Sequence, residues 1–146
     1  FECPFCRAMH ARLVDAVAQA QVPTRVVRKM VPLSMHKGAL AAAIAWCCAE
    51  RQGKGDAMAE ALIAAKPEQL TPEGCAQLAA GLGLDMARYR QDAADPAIAQ
   101  RIAADRADAE AAGVRRLPTI YIGRERFDGA GANTAALVAS LRRAAV

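Results

Sequence analysis

The sequence predicts an α/β fold in which a helical block interrupts a small sheet, and three observations lead there. Its patterns run in the order helix, strand, helical block, hairpin, helix. The apolar fraction is 54%, but aromatics supply only 4% and alanine much of the rest, a balance that suits packed helices better than a β-sandwich. Strand signals stand on both sides of the helical block, which favours a sheet with a helical insertion over a bundle. At 146 residues the chain is long enough to bury a core and reads as one domain over residues 1–146, with the insertion at about 34–112.

Each element has a local cause. "CPFCRAMHARLVDAVAQAQ" reads as a helix, because Cys6, Met9, Leu13 and Val17 recur at spacings of three and four and form one apolar stripe. Pro4 suits a first helical turn, where its missing N–H had no partner, and Pro23 ends the segment. Residues 24–31, "TRVVRKMV", are rich in β-branched side chains and read as a strand. Ser34 is the expected cap of a helix through Trp46 to about Arg51, with "GKG" as the break. Another helix covers about 56–65. Thr71-Pro72-Glu73 offers a cap, a first-turn proline and a first-turn acid, so a further helix begins there and closes at Gly81 and Gly83. Asp85 caps a short helix. Asp95-Pro96 opens another that ends at Gly113. "LPTIYIG" and "GRERFDG" make a hairpin near 119–129, and Asn133 caps a last helix with Leu137, Val138 and Leu141 on its inner face.

Composition excludes several classes. The net charge is +4, with no basic run interleaved with aromatics, so no nucleic-acid partner is expected. No apolar stretch reaches the length of a membrane span. The five cysteines are Cys3, Cys6, Cys47, Cys48 and Cys75. The last three read as buried free thiols on insertion helices, with a link from Cys75 to Cys47 or Cys48 as the alternative.

Cys3 and Cys6 carry the chemistry. Three positions apart at a first helical turn, both sulfurs fall on one face, close enough to bridge. The open N–H groups of that turn and its partial positive charge favour a thiolate. Cys3 is the expected outer, exposed thiol, and Cys6 joins the apolar stripe. That asymmetry suits disulfide exchange, in which Cys3 forms a mixed disulfide and Cys6 resolves it. The competing reading is a metal-binding module using Cys3, Cys6 and His10, but a structural site needs a fourth ligand and no second pair follows. Arg7 after Cys6 excludes haem attachment, which needs histidine there. A dithiol needs no cofactor and no metal to exchange disulfides.

With these residues in place, the chain resembles the DsbA-like branch of thioredoxin-fold disulfide oxidoreductases. The likeness rests on "FECPFC", on "PLSMHKGALAAA" with "CCAERQGK", on "LTPEGCAQLAAGLGLD" and on "AAGVRRLPTIYIGRERFDGA", in the family's order. The resemblance implies a thioredoxin-like sheet whose helical insertion lies between the strand near 24–31 and the hairpin near 119–129. It implies Cys3 as nucleophile, Cys6 as resolving thiol and Pro118 as a cis-proline beside them. Leu117 would pair its backbone with the substrate chain, as an added strand does. Pro4, Phe5, Leu117 and Pro118 would form the substrate surface. Implied partners are unfolded or reduced protein substrates and a membrane redox partner, for a monomer that is periplasmic, secreted or membrane-tethered and works as an oxidase. A reductase or isomerase partner is the alternative within the class.

Three departures carry expectations. Phe5 replaces the histidine of the most oxidising members, and Glu2 adds repulsion if its carboxylate points toward Cys3, so a less oxidising dithiol is expected. Leu117 stands where many members have Thr or Val, which alters substrate preference. Only Phe1 and Glu2 precede Cys3, so the family's central strand is missing ahead of it, and upstream residues are expected to supply it.

Overall fold

A computed structural model describes residues 1–146. In chain order the elements are α1 (Pro4–Ala20), α2 (Ala39–Arg51), α3 (Gly55–Ala64), α4 (Pro72–Gly81), α5 (Met86–Ala93), α6 (Pro96–Ala111), β1 (Thr119–Ile122), β2 (Glu125–Asp128) and α7 (Thr134–Ala144), with single 3-10 turns at Pro67–Gln69 and Gly129–Gly131. The chain folds as two compact units. One comprises Cys3–Arg28 and Gly113–Val146, the other Phe1–Glu2 and Lys29–Ala112.

The first unit packs α1 against α7. Met9, Ala16 and Ala20 meet Leu137, Val138 and Leu141, and Ile122 of β1 joins them. Side chains three and four apart put these groups on one face of each helix. The small Ala16 and Ala20 leave room for Leu137, which is fully buried. Burying a side chain of that size stabilises by about 1.5–3 kcal/mol. Asn133 caps α7 through the Ala136 N–H at 2.9 Å. The Arg142 guanidinium donates to the Gln19 carbonyl at 3.0 Å, satisfying one of the open carbonyls at the end of α1. The strands form an antiparallel hairpin in the register Thr119 to Asp128 and Ile122 to Glu125. Gly123 opens its two-residue turn with a φ of +58°, which a side chain would resist.

In the second unit α2 is the hub, packed on by α3, α4, α5 and α6. Its sequence "ALAAAIAWCCAER" is apolar nearly all round, as a helix covered on most sides must be. Ala42, Ala45, Cys47, Cys48 and Ala49 have no exposed surface, and their small side chains let the neighbouring helices approach. Met58, Leu62, Leu70, Tyr89 and Ile98 fill the space between. The caps fall where the sequence puts them: Thr71 accepts from Gly74 N–H, Asp85 from Ala87 and Arg88, and Asp95 from Ala97. Gly74 has a second duty, since a Cβ there would sit 1.9 Å from the Gln69 carbonyl oxygen.

Two sequence expectations are corrected. Residues 24–31 form no strand, and the only sheet is the two-stranded hairpin. A strand exists through a ladder, and no segment of the chain pairs with this one. The Met30 N–H donates instead to the buried Asp105 carboxylate at 2.9 Å, and Lys29 Nζ lies 3.0 Å from the same group. Ser34 does not cap α2. It lies in an exposed turn, and the helix begins at Ala39 behind Gly38. The Gly38 N–H donates to the Glu2 carboxylate at 2.7 Å. Glycine is needed there, because a Cβ would lie 2.6 Å from both Leu70 Cβ and Leu70 O.

Candidate active site

Cys3 occupies the cap position of α1 with extended backbone (φ −61°, ψ 123°), and its carbonyl accepts the helix's first bond from Arg7 N–H at 3.0 Å. Pro4 follows at the first helical position and carries no N–H. The amides of Phe5 and Cys6 belong to the turn whose donors have no intrahelical acceptor. The chain thus starts a helix so that the sulfur of residue 3 stands at the helix's positive end.

Both thiols are free and half-buried. The expected split into an exposed Cys3 and a shielded Cys6 does not show as a difference in exposure, since both are half-buried. Burial, and then the hydrogen bond and charge of the Cys3 sulfur beside it, push the Cys6 thiol up to about 12. Cys6 is therefore held as a protonated thiol. Phe5 between them is 63% exposed, which leaves an aromatic ring at the surface beside the dithiol. Pro4 is exposed as well.

Leu117 and Pro118 belong to the same unit as the dithiol, are half-buried, and are joined by a cis peptide bond. Sequence reasoning missed what holds this connector. Gly129 N–H donates to the Pro118 carbonyl at 2.7 Å, Thr119 Oγ1 donates to the Arg116 carbonyl at 2.6 Å, and Arg126 Nη2 donates to the Gly113 carbonyl at 3.0 Å. Backbone is thus fixed on both sides of Leu117. One donor lies three residues downstream of its acceptor and the other two eleven and thirteen, and only the "FDG" turn hinted at any of them.

The metal alternative finds no support. No group of three or more His, Cys, Asp or Glu side chains is placed to hold an ion, so Cys3, Cys6 and His10 are not assembled into one. The Glu2 carboxylate, a possible source of repulsion at Cys3, is engaged elsewhere. It accepts from Gly38 and lies 3.9 Å from His36 Nδ1. No helix is long and apolar enough to cross a membrane.

A dithiol at a helix start, followed much later by a proline-led hairpin, defines a thioredoxin-like domain, here mostly helical with a small sheet. Residues 1–138 match the family described as Thioredoxin, and the chain belongs to that family, whose members are generally oxidoreductases. Over 134 residues it is 34% identical to the Na(+)/H(+) antiporter NhaA 3 of Salinispora tropica, a match covering 88% of this chain and 20% of the antiporter. The chain thus spans about a fifth of the length of that curated relative.

Proposed function

We propose that this chain is a DsbA-like thiol–disulfide oxidoreductase that exchanges disulfides with unfolded or reduced protein substrates through Cys3 and Cys6, working as an oxidase. One observation carries the reading: Cys3 and Cys6 open α1 half-buried and three residues apart, while the chain's other three cysteines have no exposed surface.

In the oxidising direction a substrate thiolate attacks the Cys3 sulfur of the Cys3–Cys6 disulfide. A substrate–Cys3 disulfide forms, the Cys3–Cys6 bond breaks, and Cys6 leaves as a thiolate that takes up a proton. The substrate's second thiol then loses its proton and attacks the substrate sulfur, expelling Cys3. The substrate loses two electrons and the protein gains them. Two routes compete for the mixed disulfide, since Cys6 can attack Cys3 and send the substrate back reduced. The raised Cys6 thiol acts on both steps: protonated, it is a poor nucleophile in the return route, and it is also the poorer leaving group when the Cys3–Cys6 bond breaks.

Leu117, Pro118, Pro4 and Phe5 form the substrate surface in this reading, with the Leu117 backbone adding to the substrate chain as a strand. In this reading the domain is periplasmic, secreted or membrane-tethered, and a membrane redox partner reoxidises it. The domain acts as a monomer.

The test is oxidation of a reduced dithiol peptide by the oxidised chain. The wild type is expected to consume one peptide per disulfide and Cys3→Ser none. Reacted instead with the disulfide-bonded form of the peptide, Cys6→Ser is expected to accumulate a peptide–Cys3 mixed disulfide detectable by mass, the Cys3 thiolate breaking the peptide's disulfide and releasing its second sulfur as a thiol. Equal activity in Cys3→Ser and wild type would overturn the reading.

A further inference from the structure

The two units differ sharply in charge. The unit holding the dithiol carries ten arginines and no lysine, against only Asp15, Glu125 and Asp128, a net of +7. The helical unit has nine basic against twelve acidic residues, a net of −3. Within the basic unit, two of its three acids are already matched: Glu125 pairs with Arg143 and Asp128 with Arg126. Arg115 and Arg116 are exposed, and neither makes an ion pair. Asp128 feels Arg116 only as the weakest of its influences, after Arg126 and Thr119.

Their backbone, by contrast, is pinned. The connector is fastened at Gly113, Arg116 and Pro118 by the three hydrogen bonds described above. Two unneutralised guanidinium groups are therefore presented from a fixed strip that runs directly into Leu117 and Pro118. Arginine recognises carboxylates through a planar, pre-organised fork of donors, so less freedom is lost per hydrogen bond formed.

We propose that this strip selects polypeptide substrates whose reactive cysteine is flanked by Asp or Glu, with Arg115 and Arg116 as the specificity-determining residues. This rests on the oxidoreductase reading, in which a substrate chain lies along Leu117. A polypeptide fits better than an anionic bilayer, because the unit's arginines are spread over α1, the connector, the hairpin and α7. A membrane-surface helix would gather them on one face beside an apolar one.

The probes are two disulfide-bonded peptides of equal length, one with Asp and Glu beside both cysteines, the other with Ser and Gln. Each is reacted with the reduced full chain, which becomes oxidised as the peptide is reduced, and its rate is divided by that with uncharged hydroxyethyl disulfide. At about 0.01 M ionic strength, where the screening length is about 30 Å, the acidic peptide is expected to react about tenfold faster than the neutral one. The ratio should fall toward one at about 1 M salt. Arg115→Gln with Arg116→Gln should bring it near one at low salt, and Arg115→Lys with Arg116→Lys should keep most of it. Equal rates for the two peptides in wild type, or a ratio the Gln pair leaves intact, would overturn the selection alone. No exchange even with hydroxyethyl disulfide would overturn the oxidoreductase reading and this inference with it. Charge-dependent binding to vesicles containing phosphatidylglycerol, without peptide discrimination, would overturn it in favour of a lipid surface.

Discussion

Cys6 and Cys48 both lie on helices, and burial pushes both thiols up to about 12, yet the two units place them in opposite circumstances. Cys6 is half-buried, at the first turn of α1, beside a second sulfur. Cys48 has no exposed surface, sits late in a helix covered by its neighbours, and forms no disulfide with Cys47 or Cys75. A thiol becomes useful through position at a helix end, a partner and access to solvent. Burial alone makes it a small apolar side chain.

The widest separation should come from alkylation of the native chain with iodoacetamide. Cys3 is expected to react at least about a hundredfold faster than Cys47, Cys48 or Cys75, whose reaction must wait for local opening. Peptide mapping by mass spectrometry reads the sites, and comparable labelling at Cys47 would break the contrast. Gly74→Ala comes next, since its Cβ has no room beside the Gln69 carbonyl. The helical unit should lose about 1–3 kcal/mol in a denaturant titration, whereas Gly131→Ala, with open space around it, should change little. The smallest effect is a pH slope. Cys47, Cys48 and Cys75 are pushed up to about 11, 12 and 11 from an ordinary 9.0, all chiefly by burial. Between pH 9 and 11 the unfolded chain gives up protons that the folded chain keeps, so stability falls as pH rises. The slope is at most about 1.4 kcal/mol per pH unit per thiol. Replacing all three with alanine should reduce it to the part left by Cys6 and Tyr89, which burial also raises, measured by denaturant titrations at pH 8, 9 and 10.

What could be read from the sequence divides along the same physical line. Thr71, Asp85, Asp95 and Asn133 are legible caps because each acts on amides two or three residues away. Cys3 and Cys6 are legible for the same reason, since one helical turn decides their geometry. Residues 24–31 mislead because β-branched side chains report a local preference, while a strand needs a distant partner. Ser34 misleads because the acceptor at the start of α2 comes from Glu2, on the far side of α1 in sequence. Most of the fastening of the Leu117–Pro118 connector was likewise invisible, since two of its three donors, Arg126 and Gly129, lie in β2 and the turn after it.

Trp46 is the chain's one tryptophan. It is buried in the helical unit with the Arg101 guanidinium 5.2 Å from its ring, and its indole nitrogen has no hydrogen-bond partner. Intrinsic emission excited at the indole band therefore comes from one half of the molecule alone. Melting of the arginine-rich half has to be followed by another signal, such as a dye placed on α7. Two optical channels would then show whether the halves denature together or in sequence.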